Sequence, residues 1–190
     1  MSRLTKKDFA TPEEYLAFER ASEFRHEYFG GEIVAMTGAS RRHNLIAGNI
    51  FAELRQQLRG KPCETYISDM RVAIPTENIY TYPDVVVACG EPQFEGEAVD
   101  TLVNPTLIVE VLSKSTASYD RAAKFNYYRT IPSLAEYLLV EQDGYHVEQY
   151  VRQQDARWLL ADIRGPEGRV ELPVVGCVLS LADVYEKVEM

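Results

Sequence analysis

Glu110 stands in the middle of LIVEVL, residues 107–112, a run that otherwise asks for complete burial. An unpaired buried carboxylate is unfavourable by on the order of several kcal/mol even after relaxation. A cation, hydrogen bonds or a raised pKa must compensate. Asp84 opens a second apolar run, DVVVAC, directly after Pro83. If the strands at 84–89 and 106–112 are neighbours, two carboxylates meet at one end of a sheet. A hard divalent cation such as Mg²⁺ removes their conflict, because it accepts one or two carboxylates and keeps waters for a phosphate. Each acid also has a plainer reading: Glu110 as half of a structural ion pair or an edge-strand acid, Asp84 as a turn acid after proline.

A positive partner follows. Asp120, Lys124 and Tyr127/Tyr128 are spaced i, i+4 and i+7/i+8, so they share one side of a helix expected over 117–130. An exposed Asp–Lys pair worth a few tenths of a kcal/mol would produce the same spacing. This helix begins a few residues after the Glu110 strand. Its first turns therefore stay near that strand's C-terminal end, where open α/β sheets place ligands.

The elements that must position these groups are legible in outline. Thr11, Pro12 and Glu14 form a helix start with a capping box, and Tyr15, Leu16, Phe18 and Phe24 supply its apolar side. Gly30-Gly31 between two strand-like runs predicts a tight hairpin. Residues 40–59 read as an amphipathic helix capped by Ser40, with Leu45, Ile46, Ile50, Phe51, Leu54 and Leu58 at helical spacing. Short strands are expected at 64–67 and 70–74, followed by the stronger pair at 84–89 and 106–112, whose unbroken apolar runs suit strands covered on both faces. An acidic loop at 90–105 separates that pair. Residues 136–140 (EYLLV) predict another central strand. A meander at 145–151, 158–163 and 170–172 and a short helix at 182–189 close the chain. Helix, strands, helix and strands in this order predict an α/β (α+β) fold with a mixed central sheet flanked by helices, one domain over 1–190.

Composition narrows the function. The 190 residues carry a net charge of −9, which argues against a simple basic DNA-binding module. The charge is uneven: Arg41, Arg42, Arg55, Arg59 and Lys61 face one acid, Glu53, in segment 41–61. Three cysteines, Cys63, Cys89 and Cys177, are far apart and odd in number. That pattern speaks against a zinc site or disulfide framework and suits a cytoplasmic protein. No apolar run reaches the roughly 20 residues of a membrane span. No G-x-G-x-x-G, Walker, H-E-x-x-H or G-x-S-x-G motif occurs.

The stretches TPEEYL, RHEYFGGEIVAMTG, HNLIAGNI, SDMRVAI, YPDVVVAC, NPTLIVEVLS, STASYDRAAKFNYYR, IPSLAEYLLV and LSLADVYE, in this order, closely resemble the Uma-two family of restriction-endonuclease-like proteins. The resemblance covers nearly the whole chain and implies a PD-(D/E)XK nuclease core. Its Pro-Asp matches Pro83-Asp84 and its second acid matches Glu110, which implies Mg²⁺ or Mn²⁺ at Asp84, Glu110 and the backbone carbonyl of Val111. The lysine that the superfamily places two residues after that acid is Leu112 here. The resemblance implies that Lys124 has taken over, with Lys114 competing. Glu27 is a further acid by analogy, and Asp120 and His43 are secondary candidates, His43 as a phosphate contact or proton shuttle. The implied activity is metal-dependent hydrolysis of nucleic-acid phosphodiesters, DNA first, with a homodimer expected because related nucleases cut two strands in pairs. The alternative is a nuclease fold that binds nucleic acid or protein without efficient turnover.

Overall fold

The structure is a computed structural model that describes residues 11–113 and 117–189. Among the described residues, four helices longer than a single 3-10 turn are α1 (Pro12–Ala21), α2 (Arg41–Gln57), α3 and α4 (Leu181–Val184). α3 runs without a break through Ala117–Tyr119, Asp120–Lys124 and Phe125–Tyr128, and its middle segment is wound as a π-helix. The strands before α3 are β1 (His26–Phe29), β2 (Glu32–Ala35), β3 (Cys63–Ile67), β4 (Arg71–Ile74), β5 (Ile79–Thr81), β6 (Val85–Cys89), β7 (Thr101–Leu102) and β8 (Leu107–Val111). Those after it are β9 (Glu136–Val140), β10 (His146–Arg152), β11 (Trp158–Arg164), β12 (Arg169–Leu172) and β13 (Cys177–Ser180).

Local signals account for the first elements. Thr11 accepts from the Glu14 N–H, and the Glu14 carboxylate accepts from the Thr11 N–H, completing the capping box. Gly30 and Gly31 take φ of 53° and 106°, the left-handed region that glycine enters without strain, and so close the β1–β2 hairpin. Ser40 caps α2 by accepting from the His43 N–H at 3.1 Å.

The six-stranded sheet has the order β11-β10-β9-β8-β6-β3. β8 and β9 are parallel, while the other described neighbours are antiparallel. Successive strand residues point to opposite faces. Val85, Val87, Val109 and Val111 therefore pack with α2, β13 and α4 on one face. Val86, Ala88, Ile108 and Leu112 pack on the other with Tyr128, Ile131 and the five-stranded sheet. The central strands are covered on both sides, as their unbroken apolar runs imply.

The five-stranded sheet has the order β2-β1-β5-β4-β7, and α1 packs on it through Tyr15 and Leu16, beside Tyr28 and Tyr80. The fold is thus the expected α+β arrangement of sheet flanked by helices, with two large sheets rather than one.

Four expectations need correction. Segment 90–105 is not all loop, because Thr101–Leu102 pairs in parallel with β4. The C-terminal meander divides: β10 and β11 extend the large sheet, while β12 and β13 form a separate hairpin. Phe24 lies past the end of α1 and is 72% exposed. Cys63 and Cys89 are joined in a disulfide. They stand directly opposite in the antiparallel β3–β6 register. Spacing along the chain does not reveal a cross-strand pair, and only Cys177 remains a free thiol, buried.

Candidate functional site

Antiparallel register creates the site. Val85 pairs with Val109, so Asp84, just before β6, comes beside Glu110 near the end of β8. Asp84, Val86 and Ala88 share the face of Ile108, Glu110 and Leu112. That face looks toward α3. Asp84 is held from two directions: its Oδ2 accepts from the Val111 N–H at 2.7 Å, and its Oδ1 lies 2.6 Å from His43 Nε2. The first bond fastens the carboxylate to the neighbouring strand. The second brings in the N-terminal turn of α2, because the Ser40 cap sets where that helix begins.

Glu110 is 5% exposed. Its Oε1 accepts from Lys124 Nζ at 3.2 Å and from the Tyr128 hydroxyl at 2.8 Å, and Tyr128 in turn meets Thr81 Oγ1 at 2.9 Å. Burial pushes the Glu110 carboxyl up to about 8; Lys124 opposes that shift, and Asp84, Asp120 and Glu27 add to it. Lys124 lies 3.1 Å from Glu27 and 3.7 Å from Asp120 as well. The Glu27 contact is an ion pair outside hydrogen-bond geometry. Burial pulls the ammonium's pKa down, but Glu110, Glu27 and Asp120 outweigh it and hold it well above the usual lysine range. The π-wound turn carries both Asp120 and Lys124, and such turns recur at functional sites.

These groups line a cavity of about 910 Å³. Its wall includes six carboxylates, Glu27, Asp84, Glu110, Asp120, Glu141 and Asp143, against the cations Arg42 and Lys124. Asp84, Glu110 and the Val111 backbone offer the oxygen donors for a hard cation. Among the described residues, no three His, Cys, Asp or Glu side chains converge as ready ligands.

The structure thus brings together Asp84, Glu110, Lys124, Asp120, Glu27 and His43. Glu27 arrives on strand β1, the first arm of the expected hairpin. Lys114 lies outside the described residues. Leu112 is buried in the core and contributes nothing polar from its side chain. Arg121, on the same helix, is paired with Glu148 at 2.8 Å and with Glu141. Sequence reasoning missed Gln142, whose amide donates to the Leu112 carbonyl at 2.7 Å and whose Oε1 accepts from Ser40. It also missed Thr81 behind Tyr128. The usable signal for Gln142 was its place just after EYLLV: a strand parallel to LIVEVL ends at the same edge.

The profile of the Uma2 family, described as "Putative restriction endonuclease", matches residues 12–182. The chain belongs to the Uma2 family. Two uncharacterised Synechocystis proteins are similar to it. One, sll1609, is 40% identical over 85% of this chain and 91% of its own length. The other, slr1290, is 36% identical over 92% and 90%. The crystal structure of a "putative nuclease belonging to DUF820" from Anabaena variabilis superposes with a TM-score of 0.77 at 19% identity, covering 94% of this chain and 99% of that one. At that identity the likeness speaks for the fold. The restriction-endonuclease-like architecture of this Uma2 chain is therefore supported by sequence family and by shape independently.

Proposed function

We propose that this protein is a metal-dependent nuclease that hydrolyses nucleic-acid phosphodiesters, DNA foremost. The observation that carries the reading is the Asp84–Glu110 pair, joined across β6 and β8 in an acidic cavity with Lys124 on Glu110. The donor set fits a hard divalent cation: oxygen ligands only, excess negative charge, and few enough carboxylates to leave positions for water. Asp84, Glu110 and the Val111 carbonyl would hold Mg²⁺ or Mn²⁺. The ion, when bound, supplies an acidified water and neutralises phosphate charge.

The protein's own groups do the rest. The Val111 N–H and His43 fix the Asp84 carboxylate, and Tyr128 and Lys124 fix Glu110, so neither acid must reorganise when a phosphate arrives. Lys124 keeps its proton and presents a fixed positive charge beside the reacting phosphate. With Nε2 of His43 engaged by the Asp84 carboxylate, Nδ1 is the ring nitrogen left to exchange a proton. Glu27 and Asp120 hold the lysine in place.

The deciding experiment is cleavage of labelled single- and double-stranded DNA and of RNA with Mg²⁺ or Mn²⁺, beside Glu110→Gln and an EDTA control. Metal-dependent cutting that disappears in the variant is expected. A folded protein that takes up no Mn²⁺ by calorimetry and cuts nothing overturns the reading. One observation favours a second reading, binding without efficient turnover: Lys124 is already engaged by three carboxylates. Uptake of Mn²⁺ and nucleic acid without cutting would select it.

A further inference from the structure

The carboxylate cavity continues along α2. Asn44 and Ala47 line it, and the following turns of the same helix face, Phe51 and Arg55, line a second concavity of about 1150 Å³. Edge strand β3 runs alongside: Ile67 borders the first cavity, and Tyr66 borders the second. Positions 44, 47, 51 and 55 lie on one side of a helix. The two concavities therefore follow one another along α2 and β3, which border both.

Charge reverses along them. The carboxylate end is strongly acidic, whereas the far end presents Arg55, Arg59 and Lys61 against Glu64. Arg55 and Arg59 are exposed, and no ion pair among the described residues engages either one. Lys61 is anchored by the carbonyls of Val175 and Gly176, which leave its charge uncompensated. The single acid, Glu64, already accepts from the Tyr66 hydroxyl at 2.5 Å. Complementing the negative end of α2 would account for one such cation. It does not account for three on the wall of a groove that follows the carboxylate cavity along α2.

The spacing suits a nucleic-acid strand. From His43, which touches Asp84, to Arg55 α2 advances by about 18 Å at roughly 1.5 Å per residue. Phosphates of one duplex strand advance about 3.4 Å each, so this span is roughly five nucleotides. We propose that the groove is a second backbone site in which Arg55, Arg59 and Lys61 hold phosphates roughly five nucleotides from the one presented to Asp84 and Glu110. This rests on the nuclease reading and adds to it the path by which the strand leaves the site.

The test is binding of a labelled duplex of about 20 base pairs, two helical turns, read by fluorescence anisotropy in Ca²⁺ over a series of salt concentrations. Its single-stranded form and an RNA duplex serve as parallel arms. Arg55→Glu/Arg59→Glu is compared with Arg157→Glu/Arg164→Glu, which changes net charge equally on the remote β10–β11 hairpin. The groove variant should weaken binding at least about 10-fold and lower the salt slope by about two, one per arginine. The hairpin variant should lose much less. Arg55→Gln/Arg59→Gln repeats the test if the glutamates disturb folding. Equal losses in the two variants overturn the groove while leaving the nuclease reading intact, provided the wild type cuts. A wild type that neither binds nor cuts any nucleic acid overturns both.

Discussion

Glu110 and Glu136 lie on adjacent parallel strands, and both are buried acids that burial pushes up, to about 8 and about 7. By sequence they look alike, single glutamates in the apolar runs LIVEVL and EYLLV. They sit at opposite ends of the sheet: Leu107 pairs with Glu136, and Glu110 pairs with Leu139. At the Glu136 end the Gln149 amide, at 3.4 Å, and the Val174 backbone offset part of the desolvation, and among the described residues no cation pairs with it. At the Glu110 end a lysine, a tyrosine hydroxyl and three further carboxylates converge on an open cavity. A raised pKa thus does not distinguish a site from a structural acid. Convergence does, because only a cluster with surplus charge beside open space has something to offer a ligand.

That contrast can be broken or sharpened by substitution. The largest expected effect is on cleavage. Glu110→Gln and Asp84→Asn should each lower it by roughly 100-fold or more, the scale of losing one preorganised electrostatic group, while Glu136→Gln leaves the rate alone. A comparable loss in Glu136→Gln, measured on the same labelled duplex, would erase the distinction.

Next is Lys124→Met, which strips the cation from Glu27, Glu110 and Asp120. It should cost about 3–5 kcal/mol in urea unfolding, the scale of breaking a buried pair from one side, and at least tenfold in rate. Adding Glu110→Gln to Lys124→Met should restore part of the stability and none of the activity. Additive losses would mean that the pair is not coupled.

Glu136→Gln should change only the pH profile of stability. A carboxyl whose folded pKa lies above its unfolded value near 4.5 contributes stability that is complete below 4.5 and lost as pH rises through about 7. The glutamine variant carries no such loss. Its advantage should grow between pH 4.5 and 7 and level off at on the order of 1–3 kcal/mol. A pH-independent difference would show that Glu136 titrates normally. A comparably small effect is expected of Tyr128→Phe, which removes the hydroxyl bonded to both Glu110 and Thr81, at roughly 1 kcal/mol per hydrogen bond. Calorimetric melting should resolve it, and no change in melting temperature would mean that Lys124 alone secures Glu110.

The two glutamates also show how far the chain can be read unaided. Asp84 and Glu110 stood out because each interrupts or opens a run of apolar residues, and the helical spacing of Asp120 and Lys124 put a cation on one side of a nearby helix. Glu136 had the same local character and passed unnoticed. His43 was a secondary candidate, but nothing near it in the chain pointed to the acid it reaches, 41 positions away. Nothing local marked Arg121 as the partner of acids from β10 and the end of β9, 27 and 20 positions away.

What the sequence alone determined was local. The capping box at Thr11 and Glu14, the Gly30-Gly31 turn, the Ser40 cap and the two-sided burial of the central strands each depend on neighbours within a few positions, or on a repeat of two or 3.6. Only the tertiary structure decided which long-range partners met: β6 against β8, Cys63 against Cys89, Glu27 against Lys124, and α2 against β3 as the wall of a groove. Those contacts depend on strand register. A slip of one residue sends every side chain to the opposite face, and register follows from the packing of the whole core rather than from any one segment.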